Sequence, residues 1–421
     1  MYGLLNLWYA GQEREVHMGQ CKQYSGREKA RLWSKPSKVT RPSITLKPSL
    51  QGKRSQMSHE HSRVVCLLCG ACWALLVFPS GGRSAAQEQP QQGPPTAKRL
   101  RVVMSTDFPP IGVVKGGTVP NTQKSDPDDM QSMVRFLLYA NEFDIEGLIA
   151  SSGTFANIAR KQNILDVIGR YEMVYDSLKT HDPLYPTPDR LRSVTFQGLS
   201  GTWGQQGTAN IGQGKDSEAS DALIAIVDKP DPRPVYVGIW GDCSVIAQAV
   251  WKIQNTRSAA ELETFFGKLR IHQIATQDGT IGWLRDNFPT LFIIHSAKTY
   301  QGMFGGSDPI SNLAWVSEHI RRGHGPLCEV YPHEGVGCTG VCEGDSPSFL
   351  WLVSANRGLN DPDDPTRESW GGQFRKDGNK NHYVDGPGGS SVSKWRADYQ
   401  KEFAERADWC VEAAPAVTPT G

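Results

Sequence analysis

The sequence predicts an α/β fold, an open and mostly parallel sheet with helices on both faces. Short apolar runs alternate with helical patterns from about Leu100 to Ala297, the signature of strand–helix–strand units. Runs such as "LRVVMST" and "LFIIHSA" are apolar almost throughout rather than at every second residue, as in strands covered on both sides. The chain's 421 residues, 38% hydrophobic, are enough to bury one large core or two ordinary ones.

"LRVVMST" reads as a buried strand ending at Asp107. In "SDPDDMQSMVRFLLYANEFDIEGLIAS", which begins at Ser125, Asp126 is placed to cap a helix and Pro127 suits its first position. Asp128 and Asp129 then occupy the first turn, where the helix dipole favours anions by roughly 0.3–1 kcal/mol each. Met130, Met133, Val134, Leu137 and Leu138 form one apolar helical face. "FDIEGLIASS" reads as a second strand, and a helical pattern runs from about Asn157 to Asp176. After a Gly/Thr/Trp-rich loop near Gly198–Gly214, "SEASDALIAIVDK" reads as a helix, "PVYVGIW" as a strand and "SVIAQAVWKIQ" as a helix. "LRIHQIA" and "LFIIHSA" are two more strands with a helix between them. After Gly302 the pattern weakens into loops, until "SVSKWRADYQKEFAERADW" gives an amphipathic helix. Ligands bind at the carboxyl ends of the strands in such sheets; Asp107, Gly241–Asp242 and the Ala275–Asp278 turn fall there.

The flanks read differently. Met57 opens "MSHEHSR", an apolar stretch runs from Val64 to Phe78, and "PSGGRSAA" follows. That order is a signal peptide over residues 57–86, cleaved after Ala86. The apolar stretch is too short for an ordinary spanning helix, so the expected product is secreted or periplasmic and keeps no membrane anchor. Residues 1–56 read as an upstream or disordered extension, 87–98 as a Pro/Gln-rich linker, 99–412 as the folded domain and 413–421 as a disordered tail. The first 56 residues hold 11 Lys+Arg against 3 Asp+Glu; the rest hold 34 against 41. A mildly acidic domain without a basic stripe argues against nucleic acid. Of nine cysteines, Cys243, Cys328, Cys338, Cys342 and Cys410 remain after cleavage. One disulfide among Cys328, Cys338 and Cys342 suits an exported chain, and zinc lacks a matching second pair nearby.

The acidic start at Asp128 and Asp129 has a plain reading, a well-capped amphipathic helix. Asp107 shifts the balance, because three carboxylates meeting at one strand end repel strongly unless a cation neutralises them. Oxygen-only ligands select a hard ion, and calcium suits an exported protein.

"VVMSTD" followed by "DPDDMQSMVRFLLYANEFDIEGLIAS" resembles the calcium motif of nucleoside hydrolases, an Asp at a strand end and an Asp-Asp pair opening a helix. More closely, the chain resembles the nucleoside-hydrolase-like domain of a bacterial cellulose-binding protein family. "VYVGIWGDCSVIAQAVWKI", "LRIHQIATQDGTIGWLRDNFPTLFII", "TYQGMF", "GPLCEVYP", "EGDSPSFLWLV" and "SWGGQF" carry the likeness from about Arg101 to Phe374. It implies Asp107, Asp128, Asp129 and Asp345 around Ca2+, with a backbone carbonyl near Cys243 or Ser244. It also implies Asp107 as general base on a calcium-bound water, chemistry in which the cation polarises the water and a carboxylate takes its proton.

Departures are visible. Seventeen residues, Phe108–Lys124, separate Asp107 from the acidic cluster, where classical nucleoside hydrolases use a few. Gly344 stands where a histidine often assists the leaving base, and the Asn/Glu set that clamps ribose is not recognisable around "FIIHSAKTYQG".

Further candidates face the same edge. Asp242 and Asp278 are placed to bind a sugar or, equally, to cap the following helices. His295 ends a strand as a pocket acid or a satisfied rim histidine. Trp240, with Trp203, Trp283 and Trp370, offers a face for a sugar or packs in the core. "NDPDDPTRESWGG" reads as a solvated turn. The expected partner is a sugar-containing small molecule or a polysaccharide, and an oligomer is compatible with the sequence. Two activities follow: a calcium-dependent hydrolase of an N-glycosidic or related sugar bond, or a catalytically silent cellulose-binding module with structural calcium.

Overall fold

A computed structural model describes residues 99–112, 127–153, 160–201, 208–335 and 338–411. Asp126, Trp203, most of the Phe108–Lys124 insert, the signal peptide, the linker and the tail lie outside the described residues.

Ten strands are described: β1 (Leu100–Thr106), β2 (Phe143–Ala150), β3 (Thr195–Gln197), β4 (Val235–Ile239), β5 (Leu269–Ile274), β6 (Phe292–Ser296), β7 (Glu334–Gly335), β8 (Cys338–Thr339), β9 (Phe374–Lys376) and β10 (His382–Asp385). The helices are α1 (Pro127–Leu138), α2 (Lys161–Glu172), α3 (Tyr175–His181), α4 (Pro188–Ser193), α5 (Glu218–Asp228), α6 (Ser244–Thr256), α7 (Ala259–Lys268), α8 (Thr280–Asn287), α9 (Leu313–Val316), α10 (Gly325–Glu329), α11 (Pro347–Asn356), α12 (Ser390–Ser393) and α13 (Arg396–Asp408).

The main sheet has the order β3-β2-β1-β4-β5-β6-β10-β9. Its pairs are parallel except β10–β9 at one edge. The expected open, mostly parallel sheet is therefore observed. Residues of β1 are buried on both faces: Val102 and Met104 join the core with α1, α2, α11 and α13, whereas Val103 joins the core with α5, α6 and α8. This two-sided burial explains why the run is apolar at nearly every position. The strand order reverses between β1 and β4. Ser105 is level with Ile239, and Thr106 with Ala150, so the carboxyl ends of β2, β1 and β4 lie side by side at the switch point.

Helix α1 is buried more completely than its apolar face requires. Met130, Met133, Val134 and Leu137 are in the core, but Gln131, Ser132 and Arg135 are buried too. The expected helix over 157–176 is two helices, α2 and α3, broken at Met173–Val174. The region after Gly302, expected as loops, contains α9–α11, β9 and β10, and the helix expected in "SVSKWRADYQKEFAERADW" is two, α12 and α13. Helix α11 escaped detection because Pro347–Ser354 are all buried; a helix enclosed all round has no amphipathic period. No described helix is long and apolar enough to cross a membrane.

Candidate functional site

The first strand and first helix are joined chemically as well as spatially. Thr106 Oγ1 donates to Asp129 Oδ1 at 2.8 Å, and the Asp107 backbone N–H donates to the same oxygen at 3.2 Å. Asp128 and Asp129 sit in the first turn of α1. Asp345 arrives from the turn before α11, which is closed by Ser348: its N–H and Oγ donate to the Asp345 carbonyl at 3.0 and 2.7 Å. One oxygen each from Asp128, Asp129 and Asp345 lies within 4.8 Å of the others. Residues 217 positions apart in the chain thus meet at one strand end.

Asp107 adjoins this trio through Asp129. Burial, then the charge of Asp129, pushes its carboxyl well above the usual range, with Asp242 and Asp128 adding to the effect. Asp129 is pushed up to about 7, first by burial and then by Asp128, against the pull of the Thr106 hydroxyl. Two glycines make room for Asp107. A Cβ on Gly153 would lie 1.2 Å from Asp107 Oδ2, and one on Gly241 would lie 2.9 Å from Oδ1 and 2.5 Å from the Ser152 carbonyl. All three separations are shorter than real Cβ contacts, so the close approach of chain to carboxylate requires glycine.

A buried polar frame holds the Asp345 segment against α1. Gln131 Nε2 donates to the carbonyls of Pro332 and Gly340 at 2.8 and 2.9 Å, and the Cys342 N–H donates to Gln131 Oε1 at 2.8 Å. Arg135 grips Glu343 with two bonds, 2.5 and 3.1 Å, and its Nη2 also donates to Gln400 at 2.6 Å. Tyr331 and Ser346 hydroxyls donate to Glu343 at 2.5 and 2.7 Å. The Arg135 guanidinium lies 3.7 Å from the Phe403 ring centre. Bidentate pairing of fully buried groups fixes orientation as well as charge.

The other candidates separate. Asp242, fully buried, accepts from Ser244 N–H and Oγ at 3.2 and 2.7 Å; it shapes the entry to α6 while its charge reaches Asp107. Asp278 accepts from the N–H and hydroxyl of Thr280 and from the Cys243 N–H at 3.3 Å, bracing the starts of α8 and α6. The Cys243 carbonyl accepts from Ala247 N–H at 2.9 Å. His295 meets Thr276 Oγ1 at 2.8 Å, the Ala275 carbonyl at 3.1 Å and Arg285 Nη1 at 3.0 Å. Burial, then Arg285, depresses its pKa, and none of these partners is an acid of the cluster. Trp240 does not present a face to solvent: it is fully buried, and its indole N–H donates to Ser348 Oγ at 2.8 Å, supporting the Asp345 turn from beneath. Trp370 is buried as well, and Trp283 packs edge-on against Phe288. Asp363 of the acidic turn is tied to Arg270 at 2.8 Å. Cys342 is disulfide-bonded, whereas Cys328 is a free thiol facing Cys410 at 3.9 Å.

Sequence reasoning placed Gly241 at a strand end but gave it no role, and it did not single out Gly153, the Gln131–Arg135–Glu343 frame, or the aromatics of "TYQGMF". Tyr300 and Phe304 border the cluster: a Cβ on Gly344 would lie 3.0 Å from Tyr300, 3.2 Å from Asp128 Oδ2 and 3.4 Å from Phe304. Ala275, at the end of β5, is the one described non-glycine residue with positive φ, 56°. Such strain is typical of functional edges.

Residues 119–374 match the family described as cellulose-binding Sde182, nucleoside hydrolase-like domain. A solved structure from Saccharophagus degradans is similar over 75% of this chain and 72% of that one, with 34% identity and a TM-score of 0.63. It is described as a nucleoside hydrolase-related hypothetical protein associated with carbohydrate metabolism. No curated protein matches.

Proposed function

The chain belongs to the cellulose-binding Sde182 nucleoside hydrolase-like family, and from that premise we propose that it is an exported, calcium-dependent hydrolase of an N-glycosidic or related sugar bond. The observation that carries this reading is the gathering of Asp128, Asp129 and Asp345 within 4.8 Å at the end of β1, with Asp107 bonded to Asp129.

The donor set fits a hard cation. It is all oxygen, largely buried, and built from carboxylates whose mutual repulsion resists ionisation, which suits calcium. Asp128, Asp129 and Asp345 would hold it, with Asp107 beside them. When bound, the ion supplies neutralisation of these charges and polarisation of a water. The chain's own part is positional. Thr106 and the Asp107 N–H orient Asp129; the Arg135–Glu343 pair and Trp240 fix the Asp345 turn. Asp107 is the base that accepts the proton of the attacking water, and the carboxylates offset positive charge developing on the sugar.

The second reading is a cellulose-binding module without turnover. The family description supports it, as does Gly344 at the position where a histidine often serves the leaving base. Turnover of nucleosides and aryl glycosides, measured beside retention on cellulose, separates the two. Hydrolysis lost in Asp107→Asn with the fold intact supports the first. Retention without turnover, indifferent to that substitution, supports the second.

A further inference from the structure

Phe304 is the only aromatic among the large apolar side chains left exposed in the described residues, at 38%. Its exposure does not come from a loose loop. Buried Arg396 donates to the carbonyls of Gly302, Met303 and Phe304 at 2.8, 3.2 and 3.3 Å and to Ser311 Oγ at 3.0 Å. The N–H and hydroxyl of Thr299 both bind Asp385, at 3.1 and 2.8 Å. The Tyr300 N–H donates to Ser296 Oγ at 3.1 Å. A Cβ on Gly305 would strike Arg396 Nη1 at 1.9 Å, so this position accepts only glycine over the guanidinium. Tyr300 meets Phe304 edge to face, with centroids 5.9 Å apart and planes at 85°. A buried cation with four acceptors therefore fixes the backbone that presents a partly exposed phenyl ring beside Gly344 and the Asp128 carboxylate.

We propose that Phe304, braced by Tyr300, is a stacking platform for one face of a neutral pyranose ring of a β-glucan, next to the acidic cluster. A pyranose with equatorial hydroxyls has C–H groups on both faces and hydroxyls around its edge. A phenyl ring covers the first at little entropic cost, and carboxylates at the border accept from the second. The same carboxylates repel phosphorylated or uronic sugars. This inference rests on the acidic cluster being a ligand site, but not on hydrolysis.

The test is calorimetric titration of the full chain, in calcium, with cellohexaose and with inosine, on the native protein, Phe304→Ala and Phe304→Trp. The calcium-dependent melting shift is recorded for each. Native protein is expected to bind cellohexaose, Phe304→Ala to weaken it at least about fivefold, and Phe304→Trp to restore it. Equal affinity in Phe304→Ala overturns the platform, as does native protein that binds inosine but not cellohexaose. A calcium shift without oligosaccharide binding overturns the platform alone. Oligosaccharide binding that depends on Phe304 without a calcium shift supports the platform and removes calcium from the account.

Discussion

The two edges of the sheet treat buried acids in opposite ways. At the amino ends of the strands, Glu146 is gripped by Arg101 at 2.5 and 3.1 Å and by Lys229 at 2.6 Å. Glu142 there pairs with Arg357 at 2.7 Å and with Arg406. Burial opposes ionisation of both, yet the hydrogen bonds of Arg357 and Arg101 keep them below the usual range. A broad cleft of about 1070 Å³ opens at that edge, lined by Glu142, Arg357, Glu402 and Arg406, where Arg357 and Arg406 pair with both glutamates. At the carboxyl ends, acids meet acids, and burial with like charge raises Asp107 and Asp129. One turn behind them, Glu343 is again matched by Arg135. Pairing is thus available to this fold wherever stability alone is at stake. At the candidate site, by contrast, burial and neighbouring acids raise Asp107 and Asp129, a perturbation of the kind that clusters at functional sites.

Breaking the matched pair behind the site has the largest expected effect. Arg135→Ala leaves Glu343 charged and enclosed and should cost about 3–5 kcal/mol in denaturant unfolding. A loss below about 1 kcal/mol would mean the pair does not carry the Asp345 segment.

His272 is a third case, a buried titratable group with neither like nor opposite charge as a hydrogen-bond partner. Among the described residues neither ring nitrogen has a partner, and the ring lies edge-on to Trp351 and Phe374 at 5.8 and 5.3 Å. Burial lowers its pKa to about 3 from an ordinary 6.5. The sign follows directly. Above 6.5 neither state holds the proton; below it the unfolded chain binds a proton the folded chain refuses. Stability should fall as pH drops from about 6.5 towards 3, at up to about 1.4 kcal/mol per pH unit. His272→Leu should flatten the unfolding free energy between pH 6.5 and 5, and a slope unchanged by the substitution would refute this.

The contrast between edges also predicts a change of sign. In chelator, Asp128→Asn should stabilise the protein by about 1 kcal/mol, because it removes a repelling charge. Glu146→Gln should destabilise it by about 2 kcal/mol, because it strands Arg101. If both destabilise, the acidic cluster is ordinary packing. The smallest expected change is in the exposed turn near Asp364, whose carboxylate binds its own loop at Thr366 and Arg367. Asp364→Ala should move unfolding by less than about 0.5 kcal/mol.

Much of this arrangement is legible in the sequence. The two-sided burial of β1 reads as a continuous apolar run, and the pair Asp128–Asp129 reads as the start of α1. Asp345 was reachable only through the resemblance carried by "EGDSPSFLWLV". The supporting frame was not legible: Arg135 meets Glu343 across 208 positions and Gln400 across 265, and periodicity says nothing about which buried charges meet. On α1, Gln131, Ser132 and Arg135 lie off the apolar face and pattern as solvated residues, yet they are enclosed. Trp240 shows the converse limit, since an aromatic at a strand end reads equally as sugar platform or core. The exposed platform residue, Phe304, lies in a loop whose support comes from Arg396, far along the chain.

The most direct measurement is thermal unfolding of the full chain across a calcium titration, with a chelator as the starting point. At a hundredfold excess over its dissociation constant, calcium should add about 2.7 kcal/mol, several degrees in a domain of this size. Asp128→Asn and Asp345→Asn should abolish that shift, and Glu146→Gln should preserve it. A native protein that melts at the same temperature in calcium and in chelator would contradict the account.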